Sequence, residues 1–371
     1  MPVTAVPASN PAQVAVPGRL RLGLNLGYWG SGNDPDNLAL AQEADRLGYS
    51  VVWAAEAYGS DAVTVLSWVA AQTTRIDVGS AVLQIPARTP AMTAMTAATL
   101  DALSGGRFRL GLGVSGPQVS EGWHGVRFDK PLGRTREYVE IVRLALARQT
   151  VRYDGEHYTL PLPDGPGKAI KLTVRPAREH VPVYLAAVGP KNLALTGEVA
   201  DGWLAIFFSP EHAALSLEPL RAGRSKAGHP SGALTDFDIA ATVPVVIGPD
   251  PGEAEAPVRA YTALYLGGMG SKDQNFYNAL AVRMGFEAEA HEVQRLYLER
   301  QHREAAAAVP SALIDATALI GPRERIRDRL PAYAEAGVTT LSVAVFDGPL
   351  EQRIDTVRTM AELLDESGLA A

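Results

Sequence analysis

The 371-residue sequence predicts an α/β fold, a (β/α)8 TIM barrel in a single domain from about residue 19 to 371, with insertions after the fourth and seventh strands. Three observations predict it. Short apolar runs of strand length alternate with longer stretches of helical period. Eight such runs can be placed, and strict alternation suits a closed barrel better than an open sheet. A content of 47% hydrophobic and 20% charged residues fits a chain that buries a large core, although length alone would suggest two domains.

The elements follow in order. Residues 1–18, "MPVTAVPASNPAQVAVPG", hold four prolines and no charged side chain, so they read as a flexible tail without the basic start of a secretion signal. Cytoplasmic residence is the default expectation. Strands are expected at 20–26, 50–55, 76–83, 108–113, 183–187, 202–207, 239–246 and 339–345, and helices at 36–47, 62–73, 90–103, 134–147, 191–200, 210–227 and 322–336. Polar caps with an early proline open several helices, as in "NDPDN" and "FSP", and glycine ends several, as in "RLGYS" and "EAGVT". Three stretches exceed the bare repeat: 113–131, 150–182 with "YDGEHY" as a hairpin, and about 264–309 between the seventh and eighth strands. Barrel sites are built on loops at the C-terminal strand ends, so the first and third are the expected pocket walls.

Composition narrows the function. A net charge of −7 gives no basic face for nucleic acid, and the absence of cysteine removes disulfides, thiolate metal sites and cysteine nucleophiles. The seven histidines are scattered without paired spacing and no acidic loop suits a hard cation, so no metal is expected. No apolar run approaches the ~18 residues of a membrane span, and neither a Gly-x-Ser-x-Gly elbow nor a Walker loop occurs.

Two glycine-bearing segments point to a site. In "LDALSGGRFRLGLGVSG" (100–116), Gly105 or Gly106 can end a helix in the left-handed conformation. Gly111 and Gly113 share one strand face, either for close approach of something bulky or to relieve crowding inside a barrel. "AAVGPKN" (186–192) ends a strand at Gly189 and opens a helix with Pro190, leaving amides free for a phosphate with Lys191 adding charge; an ordinary βα turn is the other reading.

With these segments, with "VGSAVLQIPARTPAMTAMTAATLDALS" (78–104), "RTREYVEIVR" (134–143) and "AAVGPKNLALTGEVADGWL" (186–204), the chain resembles the luciferase-like oxidoreductase superfamily, and within it the branch that uses the deazaflavin coenzyme F420. The resemblance implies an isoalloxazine-like ring at the C-terminal mouth and a non-prolyl cis peptide against it, placed at Ala81–Val82 with Ser80–Ala81 as second choice. It implies cofactor contacts at Asn25, Glu56, Ser80, Ala81, Val82, Gly113, Val114, Ser115 and Gly116, and a phosphate site at Val188, Gly189, Pro190, Lys191 and Asn192.

In some F420-dependent relatives a histidine follows an acidic residue at the end of the second strand. Here "VVWAAEAYGSD" supplies Glu56 and then Ala57, so that proton donor does not carry over. The catalytic candidates are Glu56 and His124, with Tyr58 and Asp61 behind them. Tyr28, Trp29, Tyr58 and Trp123 are expected to line the substrate pocket, and Arg134 and Arg136 to reach an acidic cofactor tail. The reading that follows is an F420-dependent reductase acting on a C=C or C=N bond of a small organic molecule. An FMN-dependent monooxygenase using O2 and a non-catalytic flavin-binding barrel are the alternatives. A homodimer through "AVTVLSWVAAQ" (62–72) is a further expectation, and neither nucleic acid nor membrane is expected as a partner.

Overall fold

The computed structural model describes residues 18–27, 34–270, 274–346 and 348–371. Nearly all of the expected tail lies outside them, as do Tyr28 and Trp29.

Parallel strands β1 (Arg21–Asn25), β2 (Val51–Ala54), β3 (Asp77–Ser80), β4 (Phe108–Gly113), β5 (Val183–Ala186), β6 (Gly202–Ile206), β7 (Asp238–Ile247) and β8 (Thr340–Val345) form a closed ring, each paired with the next. β8 returns to β1 with Arg21 opposite Thr340. All eight expected strands are present. β3 is the irregular one: the Ala81–Val82 peptide bond is cis, and the strand resumes as Leu83–Gln84 against the end of β4.

Around the ring run α1 (Asp34–Leu47), α2 (Ala62–Gln72), α3 (Pro90–Ser104), α4 (Pro131–Leu146), α5 (Pro190–Val199), α6 (Ala214–Lys226), α7 (Arg323–Glu335) and α8 (Leu350–Ser367). α3 stops as the sequence predicts, with Gly105 (φ 70°) and Gly106 (φ 87°) left-handed. The expected 210–227 helix divides into a 3-10 turn, Pro210–His212, and α6. α8 was not expected, yet its buried Val357, Met360 and Leu364 follow a helical period.

The Tyr153–Asp154 and Thr159–Leu160 hairpin forms where expected. The insertion after β7 is longer than expected. It opens with helix Pro251–Ala263, passes through a π-helical turn at Leu264–Gly268, and continues through helices Phe276–Arg283, Glu287–Leu298, His302–Ala308 and Ser311–Thr317. It rejoins the barrel as strand Leu319–Gly321 against the end of β7. Leu266, Leu280, Met284, Val293 and Ile314 give it a core of its own.

Inside the barrel, bulky rings sit where neighbouring strands lack side chains. A Cβ on Gly79 would lie 2.3 Å from the Trp53 ring, and one on Gly202 would lie 2.3 Å from that of Tyr184. Gly111 and Gly113 obey the same rule. Their missing side chains make room for Ser80 and Val82, which a Cβ would approach to 1.8 Å and 2.6 Å. The crowding reading of this Gly-x-Gly therefore holds, and the bare face is filled by the irregular end of β3.

The N-terminal end of the barrel is closed by a charge cluster. Asp238 accepts from Thr339 (2.6 Å), Thr340 (2.8 Å) and Tyr184 (2.8 Å), and pairs with Arg109 (3.1 Å) and Arg21 (3.2 Å). Arg109 also reaches Asp77 at 2.8 Å. Burial works against the Asp238 carboxylate, but the two guanidinium groups and the threonine hydroxyls hold its pKa below the usual range.

Candidate active site

The mouth lies at the C-terminal strand ends. Its floor is apolar: Ala81, Val82 and Ala186, all partly exposed, cap the buried layer of Val51, Trp53, Tyr184 and Leu204. Ser80 does not face the mouth. Its hydroxyl is fully buried and exchanges 2.9 Å hydrogen bonds with the backbone of Gly111. Gly113 is covered by Val82, so neither it nor Ser80 presents a side of its own to a ring.

On one rim, Asn25 is committed, donating to Thr242 (3.2 Å) while its oxygen accepts from the Gly27 amide (2.7 Å). At the end of β2, the Glu56 carboxylate accepts from the amides of Ala62 (3.2 Å) and Gln84 (3.1 Å) and from the Arg88 guanidinium. Arg88 also binds Asp61, which caps α2 through Thr64. Burial opposes ionisation of Asp61, but its bonds to Thr64 and the Arg88 charge hold its pKa low. Gln84 ties the rim together, donating to the Ala57 carbonyl (2.7 Å) and accepting from Ser115 (3.0 Å). Every contact on Glu56 is a donor, so its geometry is that of a group that fixes the loops. Arg88 and Gln84 were missed in the sequence because their role depends on partners about 30 residues away.

Ser115 is left-handed (φ 62°) and joins β4 to the short helix Pro117–Gly122 through Gly116. Val114 packs partly buried against the main core. Beyond that helix, Trp123 is exposed, while the Nε2 of His124 is buried without a hydrogen-bond partner. Glu56 and His124 share no hydrogen bond. Tyr58 is also exposed on the rim.

At the end of β5, Gly189 precedes α5, Pro190 occupies its first turn, and no side chain caps it. A Cβ on Gly189 would meet nothing within 4 Å. The Oδ1 of Asn192 is buried without a partner, and Lys191 is exposed. The helix start is therefore uncapped beside an open space, which suits an anion. Val188 is held from outside by Arg283, whose guanidinium donates to its carbonyl at 3.1 Å. Arg134 and Arg136 are engaged elsewhere, with Asp129 (2.9 Å) and bidentately with Glu198 (2.7 and 2.6 Å).

Residues 16–340 match the luciferase-like monooxygenase family. The chain belongs to that family. It is 44% identical over 350 residues, 93% of this chain and 99% of the other, to a Mycobacterium tuberculosis protein provisionally named as coenzyme F420-dependent oxidoreductase Rv3520c. To the 5,10-methylenetetrahydromethanopterin reductase of Archaeoglobus fulgidus it is 28% identical, over 82% of this chain and 88% of that one. The fold superposes on the coenzyme F420-dependent tetrahydromethanopterin reductase of Methanopyrus kandleri with a TM-score of 0.78 at 22% identity, covering 94% and 99% of the two chains. This member of the family is an oxidoreductase. Among its described residues, no helix is long and apolar enough to cross a membrane.

Proposed function

We propose that this luciferase-like barrel uses coenzyme F420 as a reductase, acting on a C=C or C=N bond of a small organic molecule. The 44% identity to a relative named for F420, over 93% of the chain, carries the reading. Reduced F420 supplies a hydride from C5 and is oxidised; the acceptor bond takes that hydride at one atom and a proton at the other.

The chain's own residues fit such a group. Ala81, Val82 and Ala186 offer a dry floor for a flat ring. The uncapped start of α5 suits an anionic group, and the unpaired Asn192 Oδ1 suits a hydroxyl beside it. Among the proton-donor candidates, Glu56 and Asp61 are bound to Arg88, and Tyr58 stands 68% exposed. His124 has a ring nitrogen that no protein group bonds and is the donor in this reading.

Fluorescence titration with oxidised F420 and with FMN, side by side, tests the cofactor. Tighter binding of F420 is expected. The His124→Asn variant should bind it equally well but lose roughly 10²–10⁴-fold in turnover of any substrate found. A preference for FMN would overturn the reading in favour of an oxygen-using monooxygenase.

A further inference from the structure

Across the ring from β3, five aromatic side chains meet at the mouth. Phe207 follows β6, Phe346 follows β8, and Tyr261, Tyr265 and Tyr277 come from the insertion between β7 and β8. Phe207 lies 5.6 Å from Tyr261, 5.4 Å from Tyr265 and 6.1 Å from Tyr277, between ring centroids. Tyr265 stands 4.8 Å from Tyr261 and 4.9 Å from Tyr277, the latter edge-on at 89°, and Tyr261 is 5.7 Å from Phe346 at 81°.

The arrangement is built at a cost. Phe207 adopts φ 53°, a left-handed conformation that a bulky side chain rarely takes, and its ring is buried at the centre of the cluster. The helix carrying Tyr261 runs into the π-helical turn that carries Tyr265. Such turns leave carbonyls without their α-helical partners. Here Asn275 donates to the Tyr265 and Leu266 carbonyls, both at 2.9 Å, and Asn278 donates to Leu266 (3.2 Å). Gly267 lets Tyr297 pack directly on the turn, where a Cβ would stand 2.2 Å from it. The wall is thus pinned from behind. Its outer rings, Tyr261, Tyr265, Tyr277 and Phe346, remain only partly buried.

We infer that this wall selects the substrate, and that the substrate is a planar, largely apolar molecule whose reducible bond is conjugated with a ring. The inference rests on the mouth being the active site of an F420-dependent reductase. Partly exposed aromatic rings favour another flat π-system over a puckered aliphatic one of the same size, because quadrupole complementarity adds to the area buried. The position adds to the argument, since Phe207 and Phe346 directly follow the C-terminal ends of β6 and β8, at the same end of the barrel as the floor residues Ala81 and Val82 that follow β3.

The test uses the whole protein, loaded with oxidised F420, and two neutral probes: coumarin, which is flat and conjugated, and 2-decalol, which is saturated and puckered. Binding is read by calorimetry, and F420 affinity by fluorescence in the same samples. Coumarin is expected to bind about tenfold tighter than 2-decalol. Tyr265→Leu and Phe346→Leu, which keep apolar volume but remove a ring, should each weaken coumarin roughly three- to tenfold and leave F420 affinity within about twofold. Two variants are used so that one failing to fold leaves the other to decide. Equal binding of the two probes, or full coumarin affinity in the folded variants, overturns the wall. Ring-dependent coumarin binding in a protein that rejects F420 supports the wall and overturns the cofactor instead.

Discussion

The two ends of this barrel treat polar groups in opposite ways. At the N-terminal end, Asp238 takes five partners from four strands or their ends, and the cluster leaves no lone pair of that carboxylate idle. At the C-terminal end, the Nε2 of His124 and the Oδ1 of Asn192 are buried and unpaired, and the start of α5 is uncapped. A buried polar atom left without a partner destabilises a fold by about 1–3 kcal/mol. The contrast divides the barrel: the bottom ties several strands through one buried carboxylate, whereas the mouth end carries buried polar atoms that no protein group satisfies.

The sharpest way to break that division is at Asp238. Asp238→Ala takes the shared buried carboxylate away from Arg21 and from Arg109, which keeps only Asp77, and removal of one partner from a buried pair costs about 3–5 kcal/mol. Denaturant unfolding should show that loss, while F420 affinity of the protein that remains folded stays unchanged. Lost affinity with intact stability would mean that the two ends are not independent.

Gly111→Ala probes the layer between them and should have a smaller effect. The new Cβ would stand 1.8 Å from the Ser80 carbonyl, a backbone atom that cannot rotate away. Overpacking of this kind costs about 1–3 kcal/mol. Ser80 directly precedes the floor residues Ala81 and Val82, so this variant, unlike the one at Asp238, should lower both thermal stability and F420 affinity. A loss of stability alone would place the floor out of reach of β4.

Much of this contrast was legible in the sequence on one side only. The eight strands and the glycine stop of α3 are local patterns, readable from period and turn chemistry. The start of α5 was equally local, because Gly189 and Pro190 are neighbours. The Asp238 cluster was not legible, since its members are brought together only when six strands close. Glu56 shows the same limit: its sequence position made it a proton-donor candidate, but its bond to Arg88, 32 residues on, could not be read from the sequence. The aromatic wall fell between these cases. Tyr261 and Tyr265 are one helical turn apart and visible as a pair, but the left-handed Phe207 that gathers them is a tertiary fact.

The smallest expected effect compares the two ends by acid. Asp238 at the bottom and Glu211, just past β6 on the mouth side, both titrate below their ordinary range, Glu211 lowered from 4.5 to about 2 chiefly by its hydrogen bond to Arg329. A carboxylate whose pKa is lower in the folded chain contributes its full stability above the unfolded value and loses it as pH falls through the folded value. Thermal midpoints should therefore hold steady down to about pH 4.5 and decline between there and about pH 2. The side chain of Glu211 is 47% exposed, so screening limits its share, and Glu211→Gln should remove less than about 1 kcal/mol of that acid sensitivity. Most of the slope should then survive in the variant, because Asp238 and other carboxylates, Glu43, Asp45, Glu198 and Asp201 among them, are also held below their ordinary range. If Glu211→Gln flattened the decline altogether, the mouth-side pair and not the closed bottom would govern how this barrel yields to acid.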